Sequence, residues 1–88
     1  MRLMAEGTIG LTTGSTVTLC PGLVGAGAML WVGPGDANAA VARIGKAAAP
    51  QIPVEASNIR GFTLPESDPG AMVALGSTGD ILRYAVWG

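Results

Sequence analysis

Apolar and polar positions alternate with period two over several short stretches of this chain, and nowhere is a helical period sustained. The clearest stretch is C-terminal. Two runs rich in Val, Leu, Ile, Tyr and Trp flank Gly76-Ser77-Thr78-Gly79-Asp80 within residues 71–87, and such residues suit a pleated, half-buried surface. The linking residues offer glycines for positive φ and small polar groups that bond their own backbone, so the pattern predicts a β-hairpin. In its second strand Leu82, Tyr84 and Val86 fall on one face, expected inward. Ile81, Arg83, Ala85 and Trp87 fall on the other, expected to be open to a neighbouring subunit.

Upstream, residues 1–7 read as a flexible arm. Thr8 to Leu19 alternates Ile9 and Leu11, then Val17 and Leu19, with small or Thr positions, predicting two strand pieces around a Gly14-Ser15 turn. Pro21-Gly22 and a Gly/Ala stretch follow. Met29 to Val32 predicts a strand with Leu30 and Val32 on one face, Met29 and Trp31 on the other. Gly33 to Asn38 is a loop by composition, Ala39 to Ile44 a strand ended by Gly45. Residues 46–58 hold Ala47-Ala48-Ala49 but also Pro50 and Pro53, which stop a helix, so a long extended loop is expected. Ile59 to Leu64 resumes as a strand, and Pro65 to Gly70 reads as a sharp turn. The sum is one all-β domain over residues 1–88, a small antiparallel β-sandwich or β-barrel of about six to eight short strands without substantial helix.

Composition narrows the function classes. Charged residues are 12% of the chain and apolar ones 49%, the opposite of a disordered balance, and part of this apolar surface is expected to be covered by partner chains. The net charge is −1 and the five cations (Arg2, Arg43, Lys46, Arg60, Arg83) are scattered, so no nucleic-acid partner is expected. Cys20 stands alone, which excludes an internal disulfide, fits a reducing compartment and reads as a small buried residue. The N-terminus shows no signal-peptide pattern, and the most apolar window, Gly22 to Val32, is too short to span a bilayer. No membrane association is expected.

Catalytic inventory is thin. There is no His, so Cys20 lacks a base, and zinc or other nitrogen and sulfur metal sites are not expected. Gly22, Gly25 and Gly27 are in the wrong order for a dinucleotide fingerprint and read as a strand link. Glu66 and Asp68 lie close enough for acid/base work, but Pro-Glu-Ser-Asp-Pro-Gly reads as a solvated turn without raised pKa values. No enzymatic activity and no cofactor are expected. Trp31 and Trp87 stand out as partner anchors, because Trp dominates interface energetics when it fills a pocket.

The order of motifs resembles the small capsid decoration (cement) and head-associated β-sandwich proteins of tailed bacteriophages. The matching residues are Met29 to Val32, Gly35 to Asn38, Val41 to Gly45, Gly61-Phe62-Thr63-Leu64, and Met72 to Val86 with its Gly76-Ser-Thr-Gly79 link. The likeness covers about residues 8–88; residues 46–58 depart from it, being longer and rich in Ala and Pro. It implies a non-enzymatic virion protein, made in the host cytoplasm, that binds the major capsid protein on the outer head surface as a homo-oligomer, a trimer being favoured. Candidate contacts are Trp31, Ile81, Arg83 and Trp87 together with Met1, Arg2, Leu3 and Met4 of the arm; the 46–58 loop is a second candidate. The alternatives are another virion component, such as a head-fibre base, spike or tail-associated protein, or a cellular carbohydrate- or peptide-binding β-module. The last would need an exposed aromatic platform.

Overall fold

The computed structural model describes residues 2–21, 28–46, 50–57, 60–66 and 68–88. Among them eight strands form two four-stranded antiparallel sheets. Sheet I has the order β1 (Leu3–Gly10), β8 (Ile81–Trp87), β3 (Ala28–Pro34), β6 (Phe62–Glu66). Sheet II has the order β2 (Val17–Thr18), β7 (Met72–Leu75), β4 (Ala42–Lys46), β5 (Ile52–Val54). The sheets stack as a sandwich, not a closed barrel. A single 3-10 turn over Pro69–Ala71 precedes β7.

Period-two alternation explains the core. Leu30, Val32, Leu82 and Val86 of sheet I and Ala42, Ile44, Val54, Met72 and Ala74 of sheet II are buried and form one cluster. Leu11, between β1 and β2, and Leu19 and Cys20, just after β2, close one part of it, and Ile9, Phe62, Leu64 and Tyr84 pack at its margin. Each fully buried Leu, Ile or Val contributes about 1.5–3 kcal/mol of transfer free energy. The accessible surface of 4720 Å² is close to the about 4,800 Å² that size scaling gives a compact monomer of this mass.

Several expectations are corrected. The C-terminal hairpin does not form: β7 lies in sheet II and β8 in sheet I, so residues 76–80 cross from one layer to the other. A five-residue Gly/Ser/Thr link satisfies either geometry locally, and long-range polar contacts decide. Asp80 is buried; its Oδ1 accepts from the Ala39 N–H and its Oδ2 from the Ala40 N–H, both at 3.1 Å. Its carbonyl accepts from the Leu11 N–H at 2.9 Å. Asn38 acts as a substitute strand residue where β3 ends: its Nδ2 donates to the Ile81 carbonyl (2.6 Å) and its Oδ1 accepts from the Ile81 N–H (2.9 Å). Thr13 and Thr78 exchange backbone N–H to hydroxyl bonds at 3.0 and 2.9 Å, joining the Gly14 turn to the crossing. These contacts span 40–69 residues of sequence, which is why local pattern could not reveal them.

The supposed arm is also ordered. Leu3–Gly10 is a strand paired along β8, from Leu3↔Trp87 to Gly10↔Ile81 with a bulge between Leu3 and Ala5, and Arg2 exchanges two backbone hydrogen bonds with Gly88. Strand β8 had a free side that β1 fills, overriding the weak β propensity of Met-Ala-Glu. Within the supposed 46–58 loop, Ile52–Val54 pairs with β4 as a short edge strand, where Pro53 is tolerated. Pro65 and Glu66, expected in a turn, complete β6 instead. Met1, the glycine link 22–27, residues 47–49, Asn58-Ile59 and Ser67 lie outside the described residues.

Candidate interface on the outer face of sheet I

Since Leu30, Val32, Leu82 and Val86 point inward, the residues alternating with them point outward. The register aligns these outward positions in rows across sheet I. One row joins Leu3, Trp87, Met29 and Pro65; the next joins Glu6, Ala85, Trp31 and Thr63; a third joins Thr8, Arg83 and Gly33; Gly10 and Ile81 follow. Five of the candidate contacts, Leu3, Trp31, Ile81, Arg83 and Trp87, thus share one face. Leu3, Ile81 and Trp87 are 38–39% exposed. Met4 is exposed at the bulge and Arg2 is exposed beside Gly88; neither belongs to a flexible arm. Met1 lies outside the described residues.

Trp31 is held in place. Its indole Nε1–H donates to the Arg60 carbonyl at 2.9 Å. The ring lies over two residues that lack a Cβ: a Cβ on Gly33 would sit 2.8 Å from Trp31 Cζ2, and one on Gly61 would sit 2.9 Å from Cε2 and 2.2 Å from the Val32 carbonyl oxygen. Gly61 also adopts φ +65°, a left-handed conformation that side chains disfavour. The indole is therefore a pre-set, half-buried plate that loses little side-chain entropy on binding.

Arg83 is oriented too. Its Nε donates to the Pro34 carbonyl at 3.3 Å and its Nη2 pairs with the exposed carboxylate of Asp36. An exposed pair of this kind is worth about 0–1 kcal/mol, so its effect is to aim the guanidinium. Between these groups runs an open groove of about 530 Å³, lined by Glu6, Thr8, Trp31, Arg83 and Ala85 with Gly7 and Tyr84. Glu6 and Thr8 were not anticipated as lining residues. Their position follows from β1 pairing with β8, which local pattern does not carry.

The remaining polar chemistry lies elsewhere. Glu66 is buried, not solvated as its turn-like setting had implied, and pairs with Lys46 Nζ at 2.8 Å, linking β6 of sheet I to β4 of sheet II. Burial pushes the Glu66 carboxyl up, but hydrogen bonds from Lys46 and from the Asp68 N–H outweigh it and hold the group below the ordinary value. The same hydrogen bond raises Lys46. Cys20 is buried, and desolvation, aided by the Glu66 charge, pushes its thiol up to about 11, so it stays protonated and unreactive at neutral pH. Among the described residues no buried side-chain nitrogen or oxygen lacks a hydrogen-bond partner. Comparison with family models, with curated proteins and with solved structures finds no match for this chain.

Proposed function

We propose that this is a non-enzymatic capsid decoration (cement) protein of a tailed bacteriophage, docking on the major capsid protein through the outer face of sheet I. The observation that carries the reading is the convergence of Leu3, Trp31, Ile81, Arg83 and Trp87 on that one face. The motif resemblance supplies the partner class. A rigid indole, a flanking exposed Trp and an oriented guanidinium have the composition of interface hot spots. Decoration proteins work by adding contacts between shell subunits, a role that needs a stable small fold and no chemistry.

The test is quantitative mass spectrometry of particles purified from a lysate in which the gene is expressed, followed by rebinding of the pure protein to stripped heads. Enrichment in the head fraction, and a loss of binding of about 30-fold or more for Trp31→Ala with circular dichroism unchanged, is the expected result. Absence from heads overturns the assignment, and location at the tail by electron microscopy transfers it to another virion component. A second reading is favoured by the groove. Trp31 lies in a strand, yet on an outward sheet face beside Glu6, Thr8 and Arg83, so it can serve as the aromatic platform that a glycan-binding module requires. Specific signals on a glycan array that Trp31→Ala abolishes would select that reading.

A further inference from the structure

Four strands end the two sheets, and three of them are protected. Strand β2 is two residues long, β5 is three residues long with Pro53 at its centre, and β6 contains Pro65. Natural edges are blunted in these ways, because unpaired N–H and C=O groups invite another strand. Strand β1 is the exception: eight residues, no Pro, no Lys, and Glu6 as its one charge. The Leu11 N–H donates to the Asp80 carbonyl at 2.9 Å, which sets the phase of the ladder. Leu11, Ile9 and Gly7 turn their backbone groups to β8, and antiparallel alternation turns those of Glu6, Thr8 and Gly10 to the open side. Among the described residues β8 is the only strand paired with β1.

We infer that β1 is a self-association edge: a second copy of this chain adds its own β1 antiparallel across a two-fold axis, fusing two sheets I into one continuous sheet. A second copy fits because an antiparallel two-fold pairing places each open donor opposite an open acceptor of the same edge. Charge selects the register. Centring the axis on residue 6 would set two Glu6 carboxylates directly opposite each other, a destabilising pair. Centring it on Gly7 or Thr8 instead sets Glu6 of one copy against Thr8 or Gly10 of the other, with no like charges opposed. Among the described residues the remaining edges are too short or lack donors at their prolines, so none is a comparable heterologous partner for β1, and the contact closes as a dimer. Glu6 and Thr8 are outward residues, so the fused sheet carries two copies of the Trp31 and Trp87 face side by side. The inference holds independently of what that face binds.

The test is sedimentation equilibrium of the full chain over a concentration series, with amide hydrogen exchange at both ends of the series. The expected result is a reversible shift towards twice 8.8 kDa, with the Glu6, Thr8 and Gly10 amides protected only when concentrated. Thr8→Pro removes an N–H that β8 does not use, so the expected variant is folded and monomeric. If that variant fails to fold, exchange on the natural chain still reads the edge. A monomer at every concentration, a trimer, or an oligomer whose mass is unchanged in Thr8→Pro with those three amides unprotected overturns the inference. Head binding by a natural chain that stays monomeric at every concentration would remove the dimer and leave the docking face; a dimer that ignores heads would do the reverse.

Discussion

Replacing Asp80 by Ala tests the crossing between the two sheets. Asp80 is 6% exposed and its two carboxylate oxygens accept from consecutive backbone N–H groups, those of Ala39 and Ala40. A hydrogen bond to a charged group contributes about 1.5–3 kcal/mol net. Ala39 is exposed and Ala40 half-buried, so water recovers part of what the substitution removes. The expected cost is about 2–4 kcal/mol, a large share of the roughly 4–13 kcal/mol total for a domain of this length. At about 4–8 °C per kcal/mol the melting temperature should fall by roughly 8–32 °C. Urea unfolding followed by tryptophan fluorescence measures this directly, and Asp80→Asn, which keeps one acceptor, should lose about half as much. In a local hairpin the same residue would be a surface turn position, where substitutions usually change stability by no more than about 0.5 kcal/mol. An Asp80→Ala variant within that limit would refute the role given to the carboxylate in holding the layers together.

Other outcomes follow from the same geometry. Leu82→Ala should cost about 2–5 kcal/mol and Ile81→Ala under about 1, because the two side chains of β8 face opposite ways; equal costs in denaturant titrations would contradict the face assignment. Glu66 titrates below its ordinary value, so the unfolded chain binds its proton first as pH falls. Its contribution is therefore complete above the ordinary value of about 4.3 and lost as pH drops through the folded one. Glu66→Gln should flatten that acid limb in melting curves taken across it. Cys20 should resist a thiol reagent in the native protein and react at the rate of opening, whereas rapid modification at pH 8 would place it outside the core.

The all-β class and the two faces of β8 were legible in the sequence because period-two alternation is a local property: consecutive side chains of a strand point opposite ways whatever the strand pairs with. That Trp31 lies opposite Leu30 and Val32, and that Ile81, Arg83 and Trp87 share one face, follows from the same rule; which face is inward does not, because both are largely apolar. Which strand lies beside which was not legible. Residues 76–80 suit a hairpin and a crossing equally, and the choice was made by Asp80 and Asn38 reaching backbone groups about forty residues away in sequence. Strand β1 was hidden for a related reason: its Leu-Met-Ala-Glu stretch has little β propensity of its own and becomes a strand through the free side of β8. Glu66 likewise read as a solvated turn residue until Lys46 of the opposite sheet covered and paired with it. Local chemistry determined the strands and their faces; only the tertiary structure decided their neighbours, because the bonds that decide join residues the chain keeps far apart.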